Sequence, residues 1–156
     1  MSPVRPRVLH FSTVHKHGDT RIFLKECASL AASGYEVTWL CHDSPGGTEK
    51  GVRRESLGPR VSGNLWRMVR RVAHAGWRVL RTPADLYHFH DPELLPVGLF
   101  LSILGRRVVY DAHEDSPRQW VDGMTGRHAW PHWLFRAIHW TLEAIEHFSV
   151  ARFSGV

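Results

Sequence analysis

The sequence predicts an α/β fold, a parallel sheet with helices covering both of its faces. Three observations predict it. Residues 7–41 read as strand, helix and strand in immediate succession, the signature of a βαβ unit. Strands then keep alternating with helical stretches through the rest of the chain, a rhythm that builds a parallel sheet rather than a sandwich or a bundle. Third, 43% hydrophobic and 22% charged residues over 156 positions, with no internal repeat, is the composition of a chain that folds, and the length suits one domain.

Residues 7–12 (RVLHFS) form a short buried strand, and the polar loop TVHKHGD follows. In the next segment Phe23, Cys27, Leu30 and Ala31 fall at i, i+4, i+7 and i+8, which is one face of a helix, and Gly34 sits where a C-terminal cap belongs. Residues 35–41 alternate, with Tyr35, Val37, Trp39 and Cys41 on one side of a second strand. SPGGTEKG reads as a surface turn and residues 52–57 as a weak third strand. Residues 64–81 are a basic amphipathic helix in which Leu65, Val69, Val72, Gly76 and Leu80 share a face. A fourth strand spans 85–90, and Asp91-Pro92-Glu93 then opens a helix, with the Asp side chain as N-cap and Pro at the first helical position; that helix ends at Gly105. Residues 107–111 make the fifth strand, followed by the loop AHEDSPRQW and a last helix over 130–148. The order is that of a Rossmann-like domain.

Charge and cysteine usage narrow the function classes. The formal charge of +5 comes almost wholly from arginine, since Lys16, Lys25 and Lys50 are the lysines. The planar guanidinium fork suits phosphates and anionic headgroups. Neither zinc-finger spacing nor an RNP-type aromatic motif is present, which argues against nucleic acid as a partner. Cys27 and Cys41 fall in a helix and at a strand end, as small apolar residues do, so a disulfide scaffold is not expected. The first residues, MSPVRPRVLHFS, are too polar for a signal peptide, and residues 94–104 are too short and interrupted to span a bilayer. A cytoplasmic protein is expected, with peripheral attachment at the inner face of the membrane as an option.

In an open parallel sheet, ligands bind at the carboxyl ends of the strands beside the switch in strand order. Those ends are rich in chemistry here: His15, Lys16, His17, Asp19 and Arg21 after the first strand, His42 and Asp43 after the second, His90, Asp91 and Glu93 after the fourth, and Asp111, His113, Glu114 and Asp115 after the fifth. A histidine beside a carboxylate can exchange protons near neutral pH or bind hydroxyls. The plainer alternative is that loops are polar in any case. His88 and His90 lie two apart on one strand and with Asp91 and His113 resemble a hydrolase metal set; this ranks last, and no metal or other cofactor is expected. The first loop, STVHKHGDT, lacks the G-x-G-x-x-G of a dinucleotide site. The basic helix offers Trp66, Arg67, Arg70, Arg71, Trp77 and Arg78 to an anionic membrane surface, against the alternative of a sheet-covering helix with a solvated arginine face.

The segments HKHGDTRIFLKECASLAASGYEVTWL and LYHFHDPELLPVGLFLSILGRRVVYDAHEDSPRQ, in that spacing, resemble the N-terminal domain of family 4 glycosyltransferases, retaining enzymes of two Rossmann-like domains. The resemblance implies that this half binds a glycan or lipid-linked acceptor and that a C-terminal half binds the nucleotide-sugar. It implies that His113, with Glu114, faces the transferred sugar, and that Asp19, Arg21, His90, Asp91 and Glu93, with His15 and Lys16, line the acceptor side. It implies no bound metal. ARFSGV matches the start of a further strand of the sheet, so the donor half is expected to be absent and the chain to be inactive alone; a non-catalytic glycan- or membrane-binding module is the alternative.

Overall fold

The structure, a computed structural model, describes residues 5–60 and 65–111. The expected loop AHEDSPRQW, the helix over 130–148 and the strand beginning at ARFSGV lie outside the described residues.

The elements are β1 (Arg7–Lys16), a π-helical segment (Thr20–Cys27) running into α1 (Ala28–Ala32), β2 (Glu36–His42), β3 (Gly47–Glu49), β4 (Val52–Ser56), α2 (Leu65–Leu80), β5 (Leu86–Phe89), a 3-10 turn (Pro92–Leu94) running into α3 (Leu95–Ile103), and β6 (Val108–Tyr110). They build a Rossmann-like α/β sheet in the order β3-β4-β2-β1-β5-β6, parallel except for β3. From β1 the chain moves outward through β2 to β4, then returns to the other side of β1 for β5 and β6. The order therefore reverses between β1 and β5, the point at which sheets of this kind place their ligand crevice.

Both faces of the sheet are buried, as covered parallel strands require. On one face Leu9, Phe11, Leu40, Phe89 and Tyr110 pack against Ala75 and Val79 of α2 and Leu95 and Leu101 of α3. On the other, Val8, Val37, Trp39, Cys41 and Val52 meet Ile22, Phe23 and Cys27. The Trp39 indole donates to the His17 carbonyl at 3.1 Å, so the loop after β1 is anchored to the core. Cys27 and Cys41 are buried free thiols.

Local chemistry explains most boundaries and several departures from expectation. After α1, Gly34 at φ 94° lets its own N–H reach Ala31 O and the Tyr35 N–H reach Leu30 O, a paired closure of the last helical turn. Gly105 closes α3 in the same way. SPGGTEKG is more than a surface turn: Lys50 and Gly51 both adopt positive φ, the geometry of a two-residue hairpin, and fold β3 antiparallel onto β4. β1 runs four residues beyond the expected Ser12, to Lys16. The helix expected around Phe23 is wound as a π segment before it becomes α-helical, although Phe23 and Cys27 are buried as the spacing requires. Tyr35 precedes β2 and is exposed. In α2 the buried stripe is Ala75, Gly76 and Val79 with Val72 beside it, so Val69 and Leu80 of the expected apolar face are about half exposed. Ala75 and Val79 join the core built by the sheet and α3, while Val69, Val72, Gly76 and Leu80 line a groove beside Val97 and Phe100 of α3.

Candidate functional site

At the β1/β5 crevice the strand ladder ends early. Pairing between β1 and β5 stops at Phe11 and Phe89, and pairing with β2 is interrupted between Phe11 and Lys16. The main chain of residues 12–14 therefore needs other acceptors, and the buried Asp91 supplies them. Its Oδ2 accepts from Ser12 Oγ (2.8 Å), the Thr13 N–H (2.6 Å), Thr13 Oγ1 (3.2 Å) and the Val14 N–H (3.3 Å). Asp91 stands at the N-cap position before Pro92 as expected, but its side chain does not cap the helix; it is committed to β1. Thr13 Oγ1 shares its single proton with Glu93 Oε1, the nearer acceptor at 2.6 Å, and Arg71 of α2 approaches that carboxylate at 3.7 Å. Burial pushes the Glu93 carboxyl up, opposed by the Thr13 hydrogen bond, with Asp91 nearby raising it further.

Above this floor lies a charged rim. Asp19 caps the π segment, accepting from the N–H groups of Arg21 (2.9 Å) and Ile22 (3.0 Å), and stands 3.2 Å from His15 Nδ1. Burial opposes its charge, yet the Ile22 N–H, the His15 ring and the Arg21 N–H together hold its carboxyl below the usual range. His15 Nε2 faces Asp91 Oδ1 at 3.6 Å. Arg21 reaches across the crevice, donating to Asp111 Oδ2 at 2.8 Å and standing 3.4 Å from Glu26. His90 Nδ1 is 3.6 Å from the same Asp111 oxygen, so residues after β1, β5 and β6 converge on one carboxylate. Burial raises the Glu26 pKa, and Asp111 adds to the rise while Arg21 counters it.

Behind the rim three imidazoles are stacked on one face of the sheet. His10 pairs in register with His88 on the neighbouring strand; their ring centroids are 4.4 Å apart, and His88 and His90 are 4.7 Å apart. His10 is fully buried, and burial, then the neighbouring His88, holds its pKa well below the ordinary histidine value.

Of the residues expected from sequence, His15, Asp19, Arg21, His90, Asp91 and Glu93 meet in this crevice, and Lys16 lies exposed beside it. His113 and Glu114 lie outside the described residues. On α2, Trp66, Arg67, Arg70 and Trp77 face outward, whereas Arg78 is held by Glu55 and the Ser56 carbonyl and Arg71 turns toward Glu93. Sequence reading missed His10, Ser12, Thr13 and Glu26. Glu26 carried a signal: it interrupts the apolar face between Ile22, Phe23 and Cys27. His10 did too, as a histidine in mid-strand where both neighbours are apolar.

Two outcomes follow from this geometry. Replacing Asp91 by Ala strands the buried donors of Ser12 and Thr13, and at about 1–3 kcal/mol per unsatisfied group the loss should be about 3 kcal/mol, read from the urea midpoint. Because the folded pKa of His10 lies below its unfolded value of 6.5, the unfolded chain binds the extra proton as pH falls. Stability should be level above about pH 7 and decline as pH drops below about 6.5 towards the folded pKa. The decline should weaken in His10→Phe, followed by thermal melts in metal-free buffer.

Comparison with known proteins places the chain, though not its site, in a family. A family model described as a glycosyl transferase 4-like domain matches residues 18–156. The calicheamicin glycosyltransferase CalG4 superimposes with a TM-score of 0.52 at 18% identity over 91% of this chain and 43% of that one. The glycotransferase of kitacinnamycin gives 0.49 at 14% identity, over 80% and 34% respectively. The chain thus spans less than half the length of either, and the first of these likenesses is one of fold. Among curated proteins no significant match was found. Because the family model runs over most of its length, the chain belongs to the glycosyl transferase 4-like domain family.

Proposed function

We propose that this domain is the acceptor-binding half of a retaining glycosyltransferase, which moves a sugar from a nucleotide-sugar donor to a glycan or lipid-linked acceptor. The observation that carries the reading is the convergence of Arg21 and His90 on Asp111 at the switch point of a chain in this family. His15, Lys16, Asp19 and Arg21 are accessible enough to meet acceptor hydroxyls or a phosphate, and His90 forms the inner wall. Asp91 and Glu93 are buried and already engaged by β1, so they act as positioning residues. His113 and Glu114, carried over from the family resemblance, polarise and orient the reacting groups.

Transfer needs the donor's anomeric carbon held against the acceptor hydroxyl, a positioning effect that contributes about 7 to 11 kcal/mol. One half does not supply that, so the chain alone should show no turnover. Joined to a nucleotide-sugar-binding half and supplied with UDP- or GDP-sugars, it should transfer. Arg21→Ala should lower kcat/KM for the acceptor about 10- to 100-fold, the equivalent of one charge-assisted hydrogen bond. Full activity in that variant would refute the acceptor assignment, and undiminished turnover in His113→Ala would remove that residue from it.

A second reading, a module that docks on an anionic membrane surface, is favoured by the outer face of α2 and α3. There Trp66 is 67% exposed, Val69, Trp77, Leu80, Phe100, Ile103 and Leu104 are about half exposed or more, and Arg67 and Arg70 flank them. Met68, Val72, Gly76 and Val97 line an apolar groove of about 630 Å³ in that face. Among the described residues no helix is long and apolar enough to cross a membrane, so attachment would be at the surface. Vesicles containing anionic lipid should sediment the protein at low salt, release it at high salt, and bind Trp66→Ala more weakly. Equal retention on neutral vesicles, with no effect of Trp66→Ala, would count against it.

A further inference from the structure

Below the acceptor rim, His10, His88, His90 and Glu26 form a cluster of which the transfer reading uses His90 alone. Each offers one candidate ligand atom, and the four atoms lie within 4.8 Å of one another. We infer that these four side chains are a closed binding site for a first-row divalent transition metal ion, with zinc as the ion that fits.

The donor set points to this class of ion. Three imidazoles and one carboxylate suit zinc and its neighbours rather than magnesium or calcium, which prefer all-oxygen shells. Tetrahedral zinc at about 2.0–2.1 Å from each nitrogen or oxygen sets donors about 3.4 Å apart. Glu26 Oε2 stands 3.6 Å from His90 Nε2 and 3.9 Å from His10 Nδ1. Side-chain rotation would have to draw the four donors, spread over as much as 4.8 Å, in to that spacing.

A second observation is independent of the spacing. His10 is fully buried, and neither of its ring nitrogens has a hydrogen-bond partner among the described residues. A buried imidazole left so is costly, and native structures satisfy nearly all such groups. Glu26 Oε2, which faces it, is in the same condition. Burial keeps His10 in the neutral form that ligates metals.

The placement says what the ion would do. All four positions are filled by protein, the pattern of a structural rather than a catalytic centre. His10 lies on β1, His88 on β5, His90 just after it, and Glu26 on the π segment that begins at the Asp19 cap and carries Arg21. A bound ion would fasten that segment to the sheet and so hold the rim in position. It takes no part in the transfer chemistry itself.

The test uses the full chain, stripped with a chelator, dialysed, and titrated with Co²⁺ and then Zn²⁺. One equivalent of cobalt should give the intense visible bands of a tetrahedral site, zinc should abolish them, and the zinc-loaded protein should melt at higher temperature. Glu26→Gln and His10→Gln should each weaken binding more than about 100-fold, beyond the roughly 10- to 100-fold that loss of an outer-shell partner costs. His74→Ala, on the exposed side of α2, should bind as the parent does. If His10→Gln does not fold, Glu26→Gln decides alone, because that position is only partly buried. Absence of tetrahedral bands, or unchanged affinity in Glu26→Gln, would overturn the inference and leave the histidines as packed core. The readout is optical and thermal, so it stands or falls apart from sugar transfer.

Discussion

The structure of the crevice depends on the Asp91 carboxylate standing in for a missing strand. Where β1 and β5 part, the sheet can no longer satisfy the backbone of residues 12–14, and a buried N–H without an acceptor costs as much as a lost hydrogen bond. A single oxygen takes the Thr13 and Val14 N–H groups and two hydroxyls. This lets the end of β1 leave the sheet without unravelling. Glu93 extends the same arrangement one residue layer further through Thr13. The crevice is thus a gap in the ladder kept open by side-chain acceptors, which is why its floor is acidic in a chain of net positive charge.

The rim is set by a different device. Asp19 terminates β1's excursion and starts the π segment, and the wider winding of that segment runs through Glu26 to Cys27. Irregular helical winding of this kind is frequent at functional sites. Here it coexists with ordinary packing, because Ile22, Phe23 and Cys27 still seat against Val8, Val37 and Trp39. Arg21, held between Asp111 and Glu26, then closes the crevice from the helix side to the end of β6. One wall belongs to the first βαβ unit and the other to the second, so the site is only as precise as the contact between β1 and β5.

Several features were legible in the residues alone. Periodicity placed the parallel strands and the helices between them, since each pattern reports which face of its own element is apolar. The tendency of ligating and titratable residues to follow strand ends brought His15, Asp19, Arg21, His90, Asp91 and Glu93 forward together. What periodicity could not show is the partner of each group. Asp91 followed by Pro92 reads as a helix cap, and locally nothing contradicts that; Ser12 and Thr13, nearly eighty residues earlier, are what claim the carboxylate. Likewise the periodicity of α2 points to Val69, Val72, Gly76 and Leu80 as the apolar face, yet Ala75 and Val79 are the residues buried in the core and Val69 and Leu80 stay about half exposed.

The sequence by itself determined the class of fold, most of the segments that become strands and helices, the glycines that end α1 and α3, and the crevice residues His15, Asp19, Arg21, His90, Asp91 and Glu93, because each of these follows from local stereochemistry or from the rule that parallel strands present their carboxyl ends together. Only the tertiary structure decided that β3 doubles back on β4, that Asp91 serves β1, and that His10, His88, His90 and Glu26 share one buried space. Those outcomes rest on register and on distances between residues remote in the chain. Register is a property of two strands at once, so no reading of either strand alone contains it.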